Sequence, residues 1–367
     1  MDLDHARKIV GSYAHLHGES SDGLVRRVMN APGFVNPGKP LSSASSLEQG
    51  VVLRPIEALH QLAYATASHY QDDVLEIGIA FGGLLARRWF AWTGAGRAPV
   101  SIVDVDVALD GRYVFAGGAR RPVRKIGKYR PDYLLIAADP QARGNYRIRT
   151  LECKGTKNPS TAIKQLGKAV QQLDGITVDG RILPGLATSI IASNDALSYL
   201  AIDPADGEEP AYEVNSATID EARHFRLRED TGDLPSLALA NAAVSASWAM
   251  LADFGGNFTA LEHWVPDVMR TRLTRRPRDR EHFDTPFGRA VGTSVTFSFA
   301  GRQVTARNAI SEAVDLELGQ DTAERVIESQ ARFAEQLPQP EYQVGLDDSN
   351  EFYSATTDGS IFSLSFR

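Results

Sequence analysis

Three side chains in the stretch RPDYLLIAADPQARGNYRIRTLECKGT, residues 130–156, have the types and spacing of a hydrolytic centre. Glu152 and Lys154 stand one residue apart in a run of strand character. On a strand, residues two apart share a face, so carboxylate and ammonium point one way while Cys153 points the other. Asp132 opens a second apolar run, YLLIA, directly after Pro131. The Pro-, Gly- and Asn-bearing connection between the runs predicts a hairpin, and that hairpin would bring Asp132 beside Glu152 and Lys154. Two carboxylates and the backbone carbonyl of Cys153 are hard oxygen donors that suit Mg2+, with Mn2+ able to substitute. Such a cation polarises a phosphodiester oxygen and lowers the pKa of a bound water. A lysine beside it orients or deprotonates the attacking water and stabilises charge in the transition state. The same residue types also occur on solvated surface hairpins, so the flanks have to decide between the two readings.

Pro131-Asp132 and Glu152-Cys153-Lys154 resemble, position by position, the signature of the PD-(D/E)xK nuclease superfamily. The resemblance implies an α/β core of restriction-endonuclease-like type, a mixed central sheet flanked by helices. Its elements would run helix, strand, strand, strand, helix, strand over residues 75–194. It also implies that Asp132, Glu152 and Cys153 hold Mg2+, that Lys154 acts on water, and that the substrate is DNA, in defence against foreign DNA or in repair. Many relatives act as dimers, because cutting both strands needs two sites, so a homodimer or a partner protein supplying ATPase or targeting is expected.

The elements that must position these residues are readable on either side. DDVLEIGIAFGGLLARRWFAWTGAG has apolar residues near helical spacing and stops at Gly94 and Gly96. Gly78-Ile79-Ala80-Phe81 resembles the Gly-x-x-Phe helix that often begins the family core. Gly82 stands where a glutamate commonly follows, which leaves Glu76 as the substitute carboxylate. PVSIVDVDVAL, residues 99–109, alternates like a strand; Asp104 and Asp106 share one face, equally readable as metal-directed or as a polar outer face. Beyond Lys154, Asn158 or Ser160 caps a helix reaching Leu173, with Ile163, Leu166, Val170 and Leu173 as its buried stripe. The resemblance implies that a polar residue of that helix approaches the site, with Gln165 and Lys164 as candidates. GLATSIIASN, residues 185–194, reads as the closing core strand.

A net charge of −7 looks wrong for a chain that binds nucleic acid, but the distribution outweighs the sum. From Arg112 to Lys168 there are 14 Lys and Arg against three acids, two of which are Asp132 and Glu152. Arg121, Arg124, Lys125, Lys128, Arg130, Lys157 and Lys164 are the candidates for phosphate contact. From Glu312 to Glu351 the balance reverses, with 11 acids against two Arg. One cysteine excludes a disulfide framework and fits a reducing cytoplasm. The opening MDLDHARKIV lacks the shape of a signal peptide. The least charged run, near residues 235–250, is too short and polar to be a strong membrane span, so no membrane association is expected. No Gly-x-x-x-x-Gly-Lys-Ser/Thr is present, and the eight histidines are scattered without cysteine partners.

The chain divides into an N-terminal helical and linker region (1–70), the nuclease core (71–200) and a C-terminal α+β domain (201–367). The last of these carries a long apolar helix around 235–253, hairpins at VTFSFAGRQVTAR and FYSATTDGSIFSLSF, a helix at about 320–336, and six Arg between 270 and 280. Those arginines read equally as a nucleic-acid contact or as partners of the acidic segment. Two other functions compete. VLEIGIAFGG resembles the glycine-rich loop of S-adenosylmethionine-dependent methyltransferases, which would place a cofactor at residues 75–83. The chain could alternatively be a non-catalytic nucleic-acid-binding protein on a nuclease scaffold.

Overall fold

The structure, a computed structural model, describes residues 35–37, 60, 73–96, 98–105, 114–116, 119–121, 130–139, 145–178, 181–192, 197–203, 211–213, 236–265, 279–299, 302–320, 322–338 and 351–367. The helices expected between 46 and 70 lie outside these residues except at His60, as do Arg270–Arg278, Asp106, Arg124, Lys125 and Lys128.

The predicted order from 75 to 194 is the order that forms. Helix α1 spans Asp73–Phe90 and strand β2 Val100–Asp104. A small hairpin, β3 Val114–Ala116 with β4 Ala119–Arg121, precedes β5 at Tyr133–Ala138 and the long β6 at Asn145–Thr156. Helix α2, Pro159–Leu173, leads on to β9 at Gly185–Ala192, past the two-residue strands β7 Thr177–Val178 and β8 Arg181–Ile182. The sheet does not close at β9. β10, Leu197–Ile202, adds antiparallel to it, and β1, Val35–Pro37, adds parallel to β10. The result is a seven-stranded mixed sheet of order β1-β10-β9-β6-β5-β2, with β11, Ala211–Glu213, pairing the start of β6. The β5–β6 hairpin is antiparallel and β6–β9 is parallel, the latter requiring a crossover, which α2 supplies.

The glycine-rich stretch at 75–83 lies inside α1 and is helical throughout, so the loop on which a methyltransferase reading depends does not form there. Its glycines serve close packing instead. A Cβ at Gly78 would stand 2.9 Å from the carbonyl oxygen of Lys154, and one at Gly82 2.7 Å from Cys153 Sγ and Thr188 Oγ1. A glutamate at 82 therefore has no room.

Helix α2 opens on a cap readable in the sequence: Asn158 Oδ1 accepts from the amide of Ser160 at 2.9 Å, with Pro159 in the first turn. Leu166 and Leu173 are buried as expected, while Ala162 and Ala169 take the places expected of Ile163 and Val170. Ala162, Leu166, Ala169 and Leu173 are buried, Val170 is half-buried, and Ile163 is exposed at 52%. The helix packs on Ala187 and Ile191 of β9 and Leu200 of β10, where alanines make the close contact and the isoleucine turns outward.

The second half of the chain builds a five-stranded antiparallel sheet of order β12-β13-β14-β16-β15. Its strands are β12 Glu281–Thr285, β13 Gly288–Phe299, β14 Arg302–Ser311, β15 Glu351–Ala355 and β16 Ser360–Phe366. Helices α3 (Ser236–Gly255), α4 (Phe258–Trp264), α5 (Glu312–Leu318) and α6 (Ala323–Gln336) accompany it. Along α3 the residues from Ala243 to Ala249 are buried without interruption, the mark of a helix covered on all sides. It touches β2, β5 and β6 of the first sheet and β13, β14 and β16 of the second, and one apolar cluster spans both. Among the described residues no helix is long and apolar enough to cross a membrane.

Candidate active site

The β5–β6 hairpin brings Asp132, Glu152 and Lys154 together at the start of β5. Tyr133 opposes Leu151 in the antiparallel register, so Asp132 lies next to Glu152 at the start of β5. Each carboxylate is pinned by a backbone amide from the facing segment. The amide of Asp132 donates to Glu152 Oε2 at 2.9 Å, and the amide of Cys153 donates to Asp132 Oδ2 at 3.1 Å. Lys154 Nζ donates to the other Glu152 oxygen, Oε1. Glu152 is wholly buried, Asp132 is half-buried, and the Lys154 side chain keeps 23% exposure. The site is an anionic floor with a cation at its mouth.

The alternation along β6 separates two environments. Cys153 faces α1, where Gly82 makes room for its sulfur, and is 1% exposed. Burial, then the charge of Asp132, pushes its thiol well above the ordinary range, so the sulfur is inert packing. Glu152 and Lys154 lie on the opposite face, in register with Ala187 and Ser189 of β9, under α2.

The electrostatics single out Glu152. Burial pushes its carboxyl up to about 8, and the neighbouring Asp132 carboxylate adds to the rise; Lys154 offsets only part of it. Lys154 is drawn down by burial, but Asp132 and Glu152 together hold its ammonium above the ordinary value. Two carboxylates sharing one ammonium leave negative charge that a divalent cation would neutralise, and the donors are oxygen only, as Mg2+ prefers. Among the described residues no group of three or more His, Cys, Asp and Glu side chains assembles. The donor set thus fits a cation that keeps most of its own waters and does not fit a closed structural metal site.

The remaining expected residues divide. Gln165 sits on α2 with its Oε1 buried and without a hydrogen-bond partner. Glu76 lies in α1, but its side chain, like those of Asp104 and Arg121, is outside the described residues. Lys157 and Lys164 are exposed, and Arg130 is half-buried with its carbonyl accepting from Gln172 Nε2 at 3.3 Å. Two arginines counted in the basic middle are structural. Arg149 is stacked over Trp89 and Phe90, at 4.5 and 4.4 Å from their centroids, and Arg147 pairs with Asp139 at 3.2 Å. Arg280, last of the C-terminal arginine run, donates to the carbonyl of Gly255 and pairs with Asp315 of the acidic segment.

Sequence reasoning missed Ser189. It is fully buried and its Oγ has no hydrogen-bond partner. The available signal was a Thr-Ser pair within an apolar strand flanked on both sides by other strands, a place that usually reads as a continuous hydrophobic run. Comparison of the chain with protein-family models, with curated proteins and with solved structures gave no match.

Proposed function

We propose that the chain is a metal-dependent nuclease of restriction-endonuclease-like fold that hydrolyses phosphodiester bonds of DNA. The observation that carries this reading is the convergence of Asp132, Glu152 and Lys154 at the end of one hairpin, with a buried carboxylate whose charge is incompletely balanced. The mixed sheet, its parallel β6–β9 pair and the helix on each face support the fold assignment.

Asp132 and Glu152, with the Cys153 carbonyl, are the residues that would hold Mg2+ or Mn2+. When bound, the cation polarises the scissile phosphate and acidifies a coordinated water. The chain's own part follows from its charges. Lys154 is held protonated, so it orients the attacking water and stabilises charge on the phosphorus oxygens, and it is a poor proton acceptor. Lys157 just past β6 and Lys164 on α2 are exposed on elements adjoining the site, where a phosphate backbone would pass. Defence against foreign DNA and DNA repair both supply such substrates, and action as a homodimer or with a partner protein would place a second site on the other strand.

Cleavage of plasmid and of single-stranded DNA with Mg2+ or Mn2+ tests the reading. The wild type should cut, and Lys154→Ala and Asp132→Ala should each lose about a hundredfold or more in rate, the size of one preorganised electrostatic contact. A wild-type protein that binds DNA yet never cuts would favour a binding scaffold; one that neither binds nor cuts would overturn the proposal.

A further inference from the structure

Ser189 directly opposes Lys154 in the parallel β6–β9 pairing, and Leu200 of β10 opposes Ser189 on its other side. The three side chains therefore form one row across the sheet, on the face that α2 covers through Leu166 and its neighbours. Leu200 belongs to that apolar layer, while the Ser189 hydroxyl within the same row is buried and unpartnered. An alanine there would avoid the desolvation penalty of an unpaired hydroxyl. Gln165 Oε1, on the covering helix, is a second buried acceptor with no partner.

Lys154 presently occupies the oxygen that a cation needs. Its Nζ is bonded to Glu152 Oε1, and Glu152 Oε2 is already engaged by the Asp132 amide. For a metal to be held by Glu152, the ammonium has to leave Oε1 and find another acceptor, because a half-buried charge without one is costly. Adjacent strands lie about 4.8 Å apart, so the four-carbon lysine stem can reach across to the Ser189 side chain.

We infer that Ser189 is the second seat of the Lys154 ammonium: when a divalent cation takes Glu152 Oε1, Nζ moves across to Ser189 Oγ, its register partner on β9. Ser189 is then a positioning residue that acts through Lys154, and the inference rests on the nuclease reading of the centre. It explains why the Ser189 hydroxyl is left unsatisfied beside an ion pair that already has its bonds. It serves the metal-bound arrangement.

The test is calorimetric titration of Mg2+ into the full chain without DNA, for the wild type, Ser189→Ala, Lys154→Ala and the double variant. Ser189→Ala removes no hydrogen bond of the metal-free state, so its thermal midpoint should match or exceed that of the wild type. It should weaken Mg2+ binding about tenfold, the size of one hydrogen bond to a charged group. In the Lys154→Ala background the same change should have no effect, because the cation that needs the seat is gone. An equal effect of Ser189→Ala in both backgrounds, or none in either, overturns the inference. If the wild type binds Mg2+ and cuts DNA while Ser189→Ala binds as tightly, the inference alone falls. Failure of the wild type to bind Mg2+ at millimolar concentration brings down the nuclease reading with it.

Discussion

Two of the carboxylates buried beside a basic side chain, Asp358 and Glu152, are treated in opposite ways. Asp358 sits at the turn of the β15–β16 hairpin, next to Gly359 at φ 100°. Its Oδ1 accepts from the Ser360 amide at 3.0 Å, from Ser360 Oγ at 2.9 Å and from Thr356 Oγ1, and Arg87 of α1 stands 3.7 Å from Oδ2, an ion pair rather than a hydrogen bond. Burial alone would raise its pKa; the Arg87 guanidinium and the turn donors reverse that and hold it below the ordinary carboxylate range. Glu152 has one amide and one shared ammonium, with a second carboxylate alongside, and it is pushed up to about 8. Asp358 is surrounded by donors and ties α1 to the C-terminal sheet. Glu152 is left short of positive charge. The difference separates a carboxylate that holds the fold together from one kept ready for a cation.

Breaking the first of these should have the largest effect on stability. Asp358→Ala strips the turn of its acceptor and leaves Arg87, only 10% exposed in its side chain, without its ion-pair partner. The expected loss is about 3 kcal/mol, read by urea unfolding at neutral pH. A loss below about 1 kcal/mol would mean that the hairpin finds other donors and acceptors, and the contrast with Glu152 would disappear.

Glu152→Gln sharpens the contrast through pH. In the metal-free protein Glu152 binds a proton between its unfolded pKa near 4.5 and its folded value near 8, whereas the unfolded chain does not. The native state then binds more protons than the unfolded state, so this group makes stability fall as pH rises through that window. Asp358 has the opposite sign: its depressed pKa gives stability that is present above about 3.8 and is lost as pH falls through the folded value. The value of about 8 already includes the Lys154 attraction, and the Glu152 effect is on the order of 4 kcal/mol between pH 5 and pH 8.5. Unfolding in a chelator should show that fall in the wild type and lack it in Glu152→Gln; parallel curves would show that Glu152 is ionised at neutral pH.

How much of this was legible in the sequence follows from which forces act locally. The hairpin, the capped helix after it and the Glu-x-Lys alternation depend on neighbours along the chain, and Tyr133–Ala138, Asn145–Thr156 and Pro159–Leu173 form where the pattern placed them. What was not legible depends on partners distant in sequence. The preference for Ala162 and Ala169 over Ile163 and Val170 in the α2 stripe is set by the β9 and β10 residues that it covers, and the extension of the sheet by β10 and β1 is set by an edge that no local pattern announces. Arg87 and Asp358 are far apart in the chain, and neither sits in a motif. Ser189 acquires meaning only through its register with Lys154. The basic middle was the least reliable signal, because Arg147 and Arg149 spend their charge inside the fold.

The smallest expected change in stability is at the residue with the largest expected role. Lys154→Met keeps the apolar stem and removes the ammonium from Glu152. A structural pair broken this way would leave a buried charge and cost several kcal/mol. Here Glu152 can take up a proton instead, since its pKa, already near 8, rises further once the cation is gone. Lys154 itself is partly solvated, which limits what its side of the pair contributes. The expected change at pH 7 is therefore within about 1 kcal/mol, alongside loss of DNA cleavage and, above pH 8, a growing deficit as the variant's carboxyl keeps a proton that the wild type and the unfolded chain release. If Lys154→Met instead destabilised the protein as much as Asp358→Ala at neutral pH, the Lys154–Glu152 pair would be a structural tie of the same kind. The convergence at the β5–β6 hairpin would then no longer argue for catalysis.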